Sequence, residues 1–128
     1  MESKRNILQR ISKNPEDYAK RYEKMLSNED FNIFYNAPMV VFILGEANLK
    51  NLYVDCALAA GYFMISATSK GLGTCWVNFG TEIHDQDIRN VLGLKDNDKI
   101  VAPIAMGYPE NIPEIPKRKE PQIISVFE

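Results

Sequence analysis

In DCALAAGYFMISATSKGLGTCWVNFG, residues 55–80, a long apolar segment runs through a double-glycine turn into a cysteine and the only tryptophan of the chain. The first part is helical in character. Asn48 to Lys70 contains no proline, is rich in alanine and leucine, and ends at Gly71, a residue suited to a left-handed cap. Its centre, Cys56 to Ile65, is apolar on every side, so the helix is expected inside the protein or at a subunit interface. Ala57, Ala59, Ala60 and Gly61 permit close approach of another backbone. The second part, Thr74 to Asn78, reads as a short strand.

The glycines do not make a phosphate loop. A P-loop needs G-x-x-x-x-G-K-[ST], and a dinucleotide turn needs G-x-G-x-x-G between strand and helix. Gly71 and Gly73 instead lie between helix and strand, as a helix cap and a tight turn would. Cys75 as a nucleophile would need a histidine base and an orienting acid. The one histidine, His84, lies on a polar helix start, so Cys75 reads as structural and half-buried and His84 as solvated. Cys56 reads as a small buried hydrophobe, and nothing marks Asp55 as catalytic. Trp76 is either core packing or a wall beside an aromatic ligand.

Working outward, Ile7, Leu8 and Ile11 form one helical stripe, and Tyr18, Tyr22, Met25 and Leu26 another. Asn14 and Pro15 separate them as an expected N-cap and first helical residue. Ser27 to Pro38 is an aromatic-rich loop. Met39 to Leu44, closed by Gly45, has the pattern of a strand buried on both faces. Glu82 to Leu92 is expected as a helix with Ile83, Ile88, Val91 and Leu92 on its apolar stripe. Ile100 to Met106 is a third strand, in which Pro103 implies an edge or a bulge. Pro109, Pro113, Pro116 and Pro121 make an extended arm, after which Ile123 to Phe127 resumes a strand-like pattern suited to pairing with another subunit. Within the arm, Lys117, Arg118 and Lys119 are either a solvated charge run or a phosphate clamp.

A chain of 128 residues with 45% hydrophobic and 25% charged residues is expected to be one soluble domain: helical over 1–33, core over 34–108, arm over 109–128. The net charge of −2 offers no basic field for nucleic acid. No apolar run approaches the ~20 residues of a membrane span, and no secretory leader follows Met1. Two cysteines make neither a disulfide framework nor a zinc site, and no metal-ligand spacing occurs. A cytoplasmic protein with reduced thiols is expected. Three or four strands are few to cover so apolar a helix, which implies oligomerisation and a shortened sheet.

Five stretches together resemble the nitroreductase family of FMN-dependent oxidoreductases: FYNAPMVVFILG (34–45), the opening stretch (55–80), VLGLKDND (91–98), VAPIAMGYP (101–109) and PKRKEP (116–121). The resemblance implies an α+β fold: an antiparallel-dominated sheet flanked by helices, in an intertwined homodimer. FMN would lie at the subunit interface, with the C-terminal arm crossing to the partner. It further implies that Trp76, Val77, Asn78 and Phe79 pass beside the flavin ring. Asn78 and Phe79 would present a backbone N–H to flavin N5, and Trp76 would wall the ring. Two of Lys117, Arg118 and Lys119 would meet the FMN phosphate. The activity implied is electron transfer from NAD(P)H to a nitroaromatic or quinone-like small-molecule acceptor. The flavin, rather than any side chain, would be catalytic.

Two family segments are missing. Neither the Arg-x-Ser-x-Arg type motif nor the P-S-x-x-N-x-Q-P-W type segment is found, and Arg10-Ile11-Ser12-Lys13 echoes the first only by coincidence. The chain therefore reads as N-terminally shortened, with half of the FMN contacts absent. The alternative to the oxidoreductase is a non-catalytic or loosely flavin-binding dimeric module that keeps the family fold.

Overall fold

The computed structural model describes residues 2–127. Helix α1, Glu2–Lys13, carries an acidic residue in its first turn and Arg10 and Lys13 in its last, which complements the helix dipole. Ile7 and Ile11 are fully buried. The second helix does not start at Asn14. Asn14 and Pro15 form a turn, in which the Asp17 N–H donates to the Asn14 carbonyl at 3.1 Å. Asp17 is the cap instead: its carboxylate accepts from the Ala19 N–H at 2.8 Å and starts the 3-10 helix Tyr18–Tyr22. The short α2, Glu23–Leu26, follows and buries Leu26.

Strands β1 (Met39–Glu46), β2 (Gly73–Trp76) and β3 (Asp98–Gly107) form one antiparallel sheet in the order β1-β3-β2. One face packs on α1 and the aromatic loop through Ile7, Ile11, Leu26, Ile33, Val77 and Ala105. The other packs on α3, Leu52–Ser69, through Cys56, Ala60, Val101, Ala102 and Ile104. The expected α+β architecture is therefore present. The strand positions differ from expectation. The Met39–Glu46 strand lies at an edge and is half-buried along most of its length, while the proline-bearing strand is central and is buried from Ile100 to Ala105.

Proline fits there for a specific reason. The pairing of Gly73 with Gly107 and Trp76 with Ile104 sets Val77 opposite Pro103. The Val77 N–H donates to the Pro103 carbonyl at 2.8 Å, and the reciprocal donor is the one proline lacks. The Val77 carbonyl turns away and accepts from the Gly80 N–H at 2.9 Å, which opens the 3-10 helix Asn78–Thr81. On the other side of β3 the register shifts between Ile43 and Leu44, leaving Val101 as the extra residue.

Helix α3 starts later than expected but ends as expected at Gly71, whose φ of 75° lets the Leu72 N–H reach the Ala67 carbonyl at 3.0 Å. Only Leu52, Cys56, Ala60 and Ala67 are buried. Tyr53, Val54, Leu58, Tyr62 and Ile65 face outward, with Tyr62 75% exposed. By length and composition α3 meets the test of a membrane span, as the core helices of soluble proteins also can. Helix α4 is only Gln86–Val91, capped by Asp85, and Val91 is exposed, so the expected stripe is not core; Ile83, ahead of the helix, is. Beyond Gly107 the described residues are exposed and have no regular secondary structure, and Ile123 to Phe127 forms no strand within the single chain.

Gly80 locks the end of β2 against its neighbours. A Cβ there would stand 2.6 Å from Phe34 Cζ and 2.8 Å from Pro103 Cβ. Gly80→Ala is expected to destabilise the fold by about 1–3 kcal/mol through overpacking. Urea denaturation checks this, and an unchanged midpoint would show that the loop relaxes freely.

Candidate functional site

A cleft of about 410 Å³ lies between the 3-10 helix Tyr18–Tyr22 and the end of β2. Tyr18, Arg21, Tyr22, Met25 and Tyr35 form one side, and Cys75 to Phe79 the other. Tyr22 meets Phe79 edge to face, with ring centroids 5.4 Å apart. The Arg21 guanidinium sits 5.1 Å from the Tyr22 ring centre. Tyr35 and Asn36 both have positive φ, 56° and 55°, conformations uncommon outside glycine, and this turn leaves the Tyr35 ring largely exposed beside the cleft. A larger groove of about 610 Å³ along α1, between Lys4, Leu8, Gln9 and Ser27, is shallower and lacks aromatic walls. The smaller cleft is the better candidate for a planar ligand.

The structure brings Trp76, Val77, Asn78 and Phe79 together, with different jobs. The Trp76 ring packs under α3 with Ala60 and Ile104, which is core packing; the residue still borders the cleft, and its Nε1–H is buried without a partner among the described residues. Val77 belongs to the opposite core. Asn78 is exposed and Phe79 half-buried. The first N–H groups of a helix have no partner within it. Val77 spends its N–H on Pro103, and those of Asn78 and Phe79, which open the 3-10 helix, have no partner among the described residues. Lys117, Arg118 and Lys119 are exposed on the arm, do not line this cleft, and make no ion pair among the described residues.

Several cleft residues escaped the sequence. Tyr18 and Tyr22 read there as part of a helical stripe, and Arg21 fell in no motif. The α1 contacts behind the cleft were equally hidden. Glu2 accepts from the His84 and Asp85 N–H groups at 2.6 and 2.7 Å and from Asn6 Nδ2 at 2.9 Å. Burial pushes its pKa up, but these donors outweigh it and hold the carboxyl below its usual value. Asp17 is likewise lowered, by the Ala19 N–H and by Arg10. A depressed carboxyl stabilises the fold above its unfolded pKa, and the contribution is lost as pH falls through the folded one. Cys75 and His84 share no hydrogen bond: His84 Nε2 lies 3.1 Å from Glu82 Oε2, and among the described residues Cys75 Sγ has only the Trp76 carbonyl at 3.9 Å.

A small antiparallel sheet between helices is the α+β fold that this chain shares with solved nitroreductases. The chain belongs to the nitroreductase family, whose profile matches residues 2–108 and so includes the helical N-terminal segment. A nitroreductase with bound FMN from Bacteroides fragilis is 26% identical, with a TM-score of 0.71 over 98% of this chain and 71% of that one. An FMN-bound nitroreductase from Desulfitobacterium hafniense shares the fold at 15% identity, with a TM-score of 0.68 over 97% of this chain and 69% of that one. Among curated proteins, YfhC of Bacillus subtilis, whose name places it among the NAD(P)H nitroreductases, is 38% identical over 52 residues. That match spans 41% of this chain and 26% of YfhC.

The cleft residues fit part of FMN. Aromatic walls and two unused N–H donors suit a flat ring rich in acceptors, and Arg21 is the one guanidinium lining the cleft. Cys75 is exposed and lines the cleft, whereas Cys56 is buried, with its pKa raised by burial and by Asp55. Iodoacetamide should therefore modify Cys75 first, and excess FMN should slow that reaction severalfold. Peptide mass spectrometry reads both effects, and a rate indifferent to FMN would argue against the cleft as its site.

Proposed function

We propose that this chain is an FMN-dependent oxidoreductase of the nitroreductase type, working as a homodimer on NAD(P)H and a nitroaromatic or quinone-like acceptor. The observation that carries this reading is the pair of unused N–H groups, on Asn78 and Phe79, beside an aromatic cleft in a chain of this family. FMN, when bound, supplies the two-electron redox chemistry. Asn78 and Phe79 offer donors that do not titrate, so they can favour negative charge on a ring without exchanging protons with it. Tyr22 and Phe79 flank the cleft and restrict water, and Arg21 meets an anionic group. Lys117, Arg118 and Lys119 would reach the phosphate from the partner subunit's arm, in keeping with their distance from the cleft in their own chain.

The dimer reading rests on α3 and the arm. Val54, Leu58, Tyr62 and Ile65 leave an apolar face open, and Ile123, Ile124 and Phe127 are exposed at the arm's end. A second copy can cover all of these; a membrane would cover α3 but leave the arm's cations and apolar end unexplained. Two unpaired thiols agree with a cytoplasmic setting. The non-catalytic or loosely flavin-binding module is favoured by one fact, that a single chain offers the phosphate only Arg21 within the cleft.

A visible spectrum with and without added FMN decides between the two. An oxidised-flavin spectrum that bleaches with NADH or NADPH supports the oxidoreductase, and a protein that stays colourless in excess FMN supports the module. The double substitution Lys117→Ala with Lys119→Ala should weaken FMN binding by tenfold or more, since each charge-assisted bond is worth about 1.5–3 kcal/mol. Unchanged affinity would remove the arm from the site. Gly61 has nothing within 4 Å of its would-be Cβ in the single chain. Gly61→Ala should therefore stabilise a lone helix by up to about 1 kcal/mol, but clash if a second α3 lies close. Sedimentation of both forms separates the cases: loss of the dimer places Gly61 in the interface, and a stabilised monomer counts against it.

A further inference from the structure

Glu2, Asn6 and Arg10 recur every four residues and share one face of α1. That face tracks the segment just after the Asn78–Thr81 turn. Glu2 holds the His84 and Asp85 N–H groups, and Asn6 Nδ2 donates to the Glu82 carbonyl at 2.9 Å. Arg10 does something more. Its Nε donates to Asp17 Oδ2 at 2.8 Å, and its other arm pairs with Glu82 Oε1. Asp17 caps the 3-10 helix bearing Tyr18, Arg21 and Tyr22, and Glu82 immediately follows the one bearing Asn78 and Phe79. One guanidinium thus ties together the bases of both cleft walls.

We infer that Arg10 is a positioning residue, setting the spacing of the Tyr18–Tyr22 and Asn78–Thr81 walls by bridging Asp17 and Glu82. The acids are 9% and 23% exposed, and Arg10 is the only lysine or arginine paired with either among the described residues. Guanidinium geometry permits two acceptors to be held at once in fixed directions, which an ammonium on a flexible stem does less well. The network also holds the Arg10 pKa above its ordinary value: burial works against the charge, and Glu82 and Asp17 outweigh it. The Tyr18 ring, 5.9 Å from the guanidinium carbon, adds a further contact from the same wall. Because Tyr22 and Phe79 touch where the two walls meet, a change in wall spacing disturbs that contact directly.

The consequence for flavin rests on the function proposed above; the coupling of the two walls does not. The test uses the full chain with Arg10→Met, which keeps the stem and removes both pairs, and Arg10→Lys, which keeps the charge without the fork. Amide exchange by mass spectrometry and FMN titration by fluorescence are read in parallel. In Arg10→Met, exchange should rise in 18–22 and 78–81 together while 100–106 stays protected, and FMN affinity should fall about tenfold or more, as displaced binding groups do. Arg10→Lys should fall between that variant and the wild type. Loosening confined to one wall, or wild-type FMN affinity in Arg10→Met, overturns the inference. Should Arg10→Met lose protection in 100–106 as well, the lysine variant decides: coupled loosening of both walls with an intact β3 supports the bridge, and its absence overturns it. A wild-type chain that never binds FMN would sink the functional reading, and the exchange comparison would still judge Arg10.

Discussion

Pro103 has no N–H to give to Val77, and much of the molecule follows from that missing hydrogen. The pairing of β2 with β3 stops there, because the next rung would hold an acceptor and no donor. Val77 turns its carbonyl to Gly80, the chain enters a 3-10 helix, and the two N–H groups that begin it are left over. A proline in a central strand is ordinarily a defect. Here the defect sits on the side where the neighbouring strand has to end, so the sheet loses no internal bond and gains a cleft.

The wall facing that turn is built from a different kind of contact. The 3-10 helix Tyr18–Tyr22 is too short to hold itself in place by helical hydrogen bonds. It is anchored by Ala19, fully buried against the α1 core, and by the Asp17 cap. From this base Tyr18 and Tyr22 project outward, which is why their spacing mimics a core stripe while their rings remain exposed. Polar contacts along α1 then connect this wall to the other. The cleft is thus assembled from three separate stretches of sequence, near residues 10, 20 and 80.

That dispersal sets how much could be read without coordinates. The α+β class, the α3 segment with its Gly71 cap, the three strands and the 71–80 turn were legible, because apolar runs and glycine caps act locally. Strand order was not. A run such as Met39 to Leu44 looks the same at an edge as in the middle, and Pro103 pointed to an edge or a bulge: β3 has the bulge, at Val101, but is central, which is tolerable because the partner strand ends at Pro103. The second helix was misplaced for a similar reason: Asn14-Pro15 offers a good helix start, but the Asp17 carboxylate, with Arg10 behind it, offers a better-anchored one. Asn78 and Phe79 stood out as cleft-lining candidates only through family resemblance, Arg21 carried no pattern, and Arg10 was weighed only as a coincidental echo of a family motif.

The outward face of α3 has a consequence for how stability itself should be defined. A helix that buries Leu52, Cys56, Ala60 and Ala67 but leaves Val54, Leu58, Tyr62 and Ile65 in water holds much of its apolar surface outside its own core. Whatever covers that surface contributes by mass action, in proportion to the logarithm of its free concentration. For such a chain, unfolding is not a property of the sequence alone. Where a partner covers that face, the midpoint moves with the amount of partner present, and so does the fraction of chains in which the cleft is intact.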